Sequence, residues 1–159
     1  MIKSARKKFL GGFTLIELLI VIAILGILAA AVLVAINPAK RTRQARDAAR
    51  KNDVGSLATE IQAYYTTPGQ GLYMTNGSSA CGASSGLTTL TASGGLKQVP
   101  QDPQGNYYCY TTNGTRVEAA TWGTVEDPTT VGAGLSTHTW CWRSASNLAT
   151  EITSGSCTP

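Results

Sequence analysis

The chain has 159 residues, 43% hydrophobic and 14% charged, with a formal net charge of +4, enough for one compact domain or an anchor plus a small head and too little for most two-domain enzymes. Its mean hydropathy of zero averages two unlike regions: residues 13–36, whose only strongly polar members are Thr14 and Glu17, and everything after Thr66, rich in Gly, Ser, Thr and Asn. The basic total belongs to the flanks of the apolar run, namely Lys3, Arg6, Lys7 and Lys8 before it and residues 40–51 after it, while the head carries −2; a nucleic-acid-binding fold is not implied.

The apolar run comes first. At about 1.5 Å per helical residue, residues 13–36 reach roughly 36 Å, more than the roughly 30 Å hydrocarbon core of a bilayer. Leu, Ile and Ala fill the run, Gly26 is its one glycine, and the first proline, Pro38, lies just beyond it. Three readings compete: a cleaved secretory signal, a permanent anchor, or a helix that leaves lipid to pack in an assembly. The basic start and Ala29-Ala30-Ala31 suit a secretory signal, but the apolar pattern runs on past Ala31, longer than such cores. Glu17 bears on the other two, because an ionisable group in a spanning helix costs a few kcal/mol and so has a partner or a task. The nearest basic groups, Lys7 and Lys8, are two to three turns away, and Thr14 offers only a hydroxyl.

Gly12-Phe13-Thr14-Leu15-Ile16-Glu17, after a basic leader and before the apolar run, closely resembles the class III signal of type IV pilins and pseudopilins. The resemblance implies that a prepilin peptidase cuts between Gly12 and Phe13 and methylates the new amine, leaving Glu17 as the fifth residue of the mature chain, the position of the family's glutamate. It also implies homo-oligomeric assembly into a helical filament, with an assembly ATPase and its platform protein as further partners. The cut creates a cation inside an apolar bundle, and a carboxylate from a neighbouring subunit is the cheapest way to neutralise both charges. Glu17 and Phe13 are thus the expected assembly residues.

Beyond Ile36 the pattern stays helical: Val54, Leu57, Ala58, Ile61, Tyr64 and Tyr65 recur at three- and four-residue spacing, and Arg43, Arg46, Asp47 and Arg50 line another face. Pro38 interrupts the helix, since it lacks a backbone donor and pushes Asn37 out of the αR region; a kink or melted turn is expected near Val34 to Pro38. The resembled family often has its proline at the position of Val34, so Asn37-Pro38 stands in for it here. The basic cluster at 40–51 is expected to be a solvated face or to pair with acidic groups of adjacent subunits. Lipid headgroups, DNA and acidic surface polymers are alternatives that no specific signal supports. Six basic residues after the span against four before it would, by the positive-inside rule, point the head to the cytoplasm, opposite to what the resemblance and the cysteines indicate.

All four cysteines, Cys81, Cys109, Cys141 and Cys157, fall in the head, and an even number in a small polar domain favours disulfides formed outside the cytoplasm. Three connectivities exist; the resemblance favours Cys141 with Cys157, closing a C-terminal loop like that of many pilins, and Cys81 with Cys109. Zinc held by His138 and Cys141 is the alternative, without a Cys-x-x-Cys pair to support it. Tyr107-Tyr108-Cys109-Tyr110-Thr111-Thr112, then Asn113-Gly114, then Thr115-Arg116-Val117-Glu118 predicts a hairpin with a two-residue turn, and a third strand is expected at 138–143. The stretch at 99–108, Val-Pro-Gln-Asp-Pro-Gln-Gly-Asn-Tyr-Tyr, resembles the lead-in to the sheet of major pseudopilins and small pilins. Trp122, Trp140 and Trp142 are expected to serve packing or subunit contact. The sequons at Asn76 and Asn113 permit glycosylation.

Gly82-Ala83-Ser84-Ser85-Gly86 formally matches Gly-x-Ser-x-Gly, but it sits in a Ser/Gly-rich stretch without the strand and helix a nucleophile elbow needs. His138 is the lone histidine, and Asp102, Glu126 and Asp127 lack regular calcium-ligand spacing. No catalytic residue, metal or cofactor is expected. The expected fold is α+β, pilin-like, a long N-terminal helix packed on a small antiparallel head. Its parts are a cleaved leader at 1–12, a membrane-spanning and polymerising helix at 13–36, an amphipathic second half at 37–66 and a disulfide-containing head at 67–159. The expected function is a subunit of a type IV pilus-like filament at the cell surface, single-pass in the membrane before assembly. The alternatives are a pseudopilin of a type II secretion or competence apparatus and an uncut single-pass binding protein.

Overall fold

The computed structural model describes residues 12–68, 70–82, 84–126, 138–153 and 156–159. The leader expected at 1–12 thus lies outside the described residues except for Gly12. The chain forms two compact units, Met1–Ala39 and Lys40–Pro159.

In the first unit Thr14 is extended (φ −82°, ψ 150°) and opens helix α1, Leu15–Ile36. None of its residues is buried within the chain. The helix stops at Asn37, which takes a left-handed conformation (φ 45°), one that asparagine tolerates better than most side chains. Pro38 is then the first residue of helix α2, Pro38–Thr66, where its missing N–H costs nothing. The interruption expected at Asn37-Pro38 is therefore present as a single non-helical residue.

In the second unit α2 buries Val54, Leu57, Ala58 and Ile61, one stripe of the helix, against a four-stranded sheet. The strands are β1 (Cys109–Thr112), β2 (Ala119–Val125), β3 (His138–Arg143) and β4 (Leu148–Ile152), antiparallel in the order β1-β2-β3-β4. Register puts Tyr110, Thr121, Trp142 and Ala149 in one row, on the α2 side, and Cys109, Trp122, Cys141 and Thr150 in the next, on the other side. The first five residues of β2 are all buried, because both faces of the sheet are covered there. A short helix, α3 (Thr88–Ala92), buries Leu90 in the same core.

The third strand lies where the sequence places it, but the hairpin differs. Thr112 pairs with Ala119, so the connection is the six residues 113–118 and not the two-residue Asn113-Gly114 turn. Asn113 is the cause: its Oδ1 accepts from the backbone N–H of Val117 and Glu118 and from the Thr115 hydroxyl, and its own N–H donates to the Glu118 carbonyl. Arg116, at φ 60°, exchanges further bonds with the Tyr73 backbone. These bonds satisfy the loop internally, and the ladder resumes at the apolar Ala119-Ala120. Strand β4 and helix α3 carried no sequence expectation.

Candidate assembly site

Phe13 precedes the helix and is 89% exposed. Thr14 and Glu17 form a reciprocal cap: the Glu17 N–H donates to Thr14 Oγ1 (3.3 Å), while the Thr14 N–H (2.9 Å) and hydroxyl (2.6 Å) both donate to Glu17 Oε2. Glu17 is thus not without a partner in its own helix, and Thr14 supplies two donors where the sequence reading credited it with a hydroxyl alone. The Thr-x-x-Glu spacing is itself the signal of such a box. A carboxylate accepts at both oxygens, and Oε1 has no partner among the described residues. The cap therefore aims the acid at the helix start, beside the Gly12–Phe13 bond, with one oxygen left over for a further donor.

In the head, the face expected to be solvated is divided. Asp47, Arg50 and Asp102 are buried, with Glu126 partly so. Arg50 donates from Nε to Asp102 Oδ2 (2.5 Å), from Nη2 to Asp102 Oδ1 (3.0 Å) and Gln104 Oε1 (3.1 Å), and from Nη1 to Asp47 Oδ1 (2.7 Å), with Glu126 Oε1 2.7 Å from Nη1. Arg46 forms a bidentate pair with Glu126, whose backbone N–H donates to the Asp47 carboxylate (2.9 and 3.0 Å). This corrects the sequence expectation: Arg46 and Arg50, two of the six basic residues at 40–51, are neutralised inside their own head. One buried guanidinium gathers α2, the 99–106 loop and the end of β2. The Arg46 bonds, with Arg50 behind them, hold the Glu126 carboxyl down at about 2 against the opposing effect of burial. Burial pushes Asp102 up, but the Arg50 bonds and the Gln104 N–H outweigh it and hold the carboxyl below its usual range.

Asp102 and Glu126, weighed above as calcium ligands, are thus brought together around guanidinium groups; Asp127 lies outside the described residues. Cys81 is bonded to Cys109 and Cys141 to Cys157, the pairing that the resemblance favoured. The zinc alternative fails, because Cys141 is oxidised and points to the sheet face opposite His138. His138 Nδ1 lies 3.2 Å from Glu151 Oε1 without hydrogen-bond alignment. Ser84 sits in a turn, and the described residues just before it form no strand. Trp122 and Trp142 are buried, and Trp140 is half-buried beneath Lys51. Asn76 uses its side-chain amide to pair with the Thr112 N–H and carbonyl at the outer edge of β1, a structural use of that sequon.

A family model described as the prokaryotic N-terminal methylation motif matches residues 11–33. The chain is 35% identical over 111 residues to the type II secretion system core protein G of Pseudomonas aeruginosa, an alignment covering 66% of this chain and 75% of that protein. No solved structure matches.

Proposed function

The chain belongs to the family of type IV pilins and pseudopilins, and on that premise we propose that it is a structural subunit of a helical filament of the secretion-pseudopilus kind, anchored in a membrane by α1 before assembly. The bare surface of α1 carries the proposal. Its 22 residues are almost all apolar and none is buried within the chain, so the helix needs lipid first and sibling helices afterwards. Moving from lipid to an apolar bundle gains little hydrophobic energy, so the driving force is helix packing together with the pairing of Glu17 with a neighbour's Phe13 amine. A prepilin peptidase, acting between Gly12 and Phe13, an assembly ATPase and its platform protein are the partners this reading requires. The role is structural and not catalytic.

The pseudopilus is preferred because the likeness to core protein G runs over 111 residues, far beyond the 11–33 motif. A surface pilus is the second reading, favoured by the Cys141–Cys157 loop near the C-terminus. Electron microscopy separates the two: short periplasm-spanning fibres support the first, long surface fibres the second. N-terminal sequencing of the mature protein tests the family mechanism. A chain beginning at a methylated Phe13 supports it, and an intact leader leaves only a single-pass anchored head. Glu17→Ala should still be cut yet assemble poorly beside wild type.

A further inference from the structure

The basic run of α2 is used unevenly. Arg46 and Arg50 are paired with Glu126, Asp47 and Asp102, and Lys51 lies 4.5 Å over the Trp140 ring. Arg41 is exposed and Arg43 half-buried, and neither has an ion-pair or hydrogen-bonding partner among the described residues. Lys40, also exposed, adds a third positive charge. These three follow the last residue of α1 by four, five and seven positions, so the chain itself tethers them to the end of the membrane span.

We propose that Lys40, Arg41 and Arg43 form a site for anionic phospholipid headgroups on the head side of the membrane, holding unassembled subunits at a set depth. This rests on the membrane-anchored reading above. Guanidinium forks match phosphate oxygens in two-point contacts, and basic residues next to a span are drawn to anionic lipid surfaces. Tethering by α1 keeps lipid phosphate at high effective concentration around these side chains, an advantage no soluble polyanion has. The placement also explains the charge of Arg41 and Arg43, which no described residue pairs, and which works against topology, since positive residues on the head side oppose the positive-inside bias. Filament entry then requires these headgroup contacts to be given up as α1 leaves the bilayer.

The test uses the mature oxidised chain beginning at Phe13, without the basic leader, reconstituted into nanodiscs of phosphatidylcholine alone or mixed with phosphatidylglycerol, with bound lipid counted by native mass spectrometry after release. Wild type should retain phosphatidylglycerol over phosphatidylcholine by roughly tenfold, a preference that added salt weakens. The K40Q/R41Q/R43Q variant should lose it while keeping wild-type near-ultraviolet circular dichroism, because Arg46 and Arg50 are untouched. Equal retention of the two lipids by wild type, or an undiminished preference in the variant, overturns the proposal. Binding of short duplex DNA more tightly than anionic discs, lost in the variant, overturns it in favour of a nucleic-acid site. Failure to enter either kind of disc overturns the anchored reading and this one with it, whereas entry into both without lipid preference sinks this one alone.

Discussion

Arg50 of α2 and Asp102 of the 99–106 loop form a two-point ion pair, 2.5 Å from Nε to Oδ2 and 3.0 Å from Nη2 to Oδ1, with side chains only 1% and 3% exposed. Removing one member leaves the other charged and out of water, which costs about 3–5 kcal/mol, whereas replacing both by apolar groups costs much less. Arg50→Met, which strands the buried Asp102 and Asp47 carboxylates, should lower stability by that amount in denaturant titrations of the oxidised protein, and Asp102→Leu by less, because Asp47 and Glu126 still pair with Arg50. The double variant should lose less than the sum of the two single losses, though Asp47 still lacks Arg50 in it, and additive losses would show that the two residues act separately.

Acid should loosen the same junction. The folded-state values of Glu126, about 2, and of Asp102, below its usual range, lie under those of an unfolded chain. Their contribution is therefore complete above about pH 4.5 and is lost as pH falls toward 2. Denaturation midpoints should hold between about pH 7 and pH 5 and drop below about pH 4. In Arg46→Ala the Glu126 part of that drop should shrink.

Gly123 of β2 faces α2, and a Cβ built there would lie 2.8 Å from two ring carbons of Tyr108, whose hydroxyl donates to Asp53. That ring is held at both ends, so it cannot swing aside cheaply. Gly123→Ala should cost about 1–3 kcal/mol, read as a lowered Tm. Gly114→Ala, where a Cβ meets open space, is the control and should change little.

The Cys141–Cys157 bond closes a 16-residue separation and seats Cys157 beneath Trp122 and Ile152. A loop of that length is worth about 3 kcal/mol by the chain-entropy account. The C141A/C157A variant should lose about that much and expose the C-terminal tail to proteolysis, with the Cys81–Cys109 bond intact by mass.

What could be read from the sequence was what local pattern determines. The class III signal, the length of the apolar run, the stop at Asn37-Pro38 and the strand at His138–Arg143 each depend on a few neighbouring residues. The two-residue turn failed because Asn113-Gly114 is a valid turn signal locally, while the outcome was set by Asn113 accepting from residues four and five ahead. The Arg50 cluster was illegible for a different reason: its members are 52 and 76 positions apart, and a buried guanidinium looks in sequence like any residue of a solvated basic face. The Thr14–Glu17 cap is the opposite case, a partner for the acid that the Thr-x-x-Glu spacing alone makes legible.

The most direct measurement is the position of Glu17 in a density map of the assembled filament. The account predicts its carboxylate bound to Thr14 on one oxygen and within about 4 Å of the methylated Phe13 amine of an adjacent subunit on the other. A carboxylate touching only its own Thr14 and hydrocarbon, with every neighbouring amine far away, would contradict it.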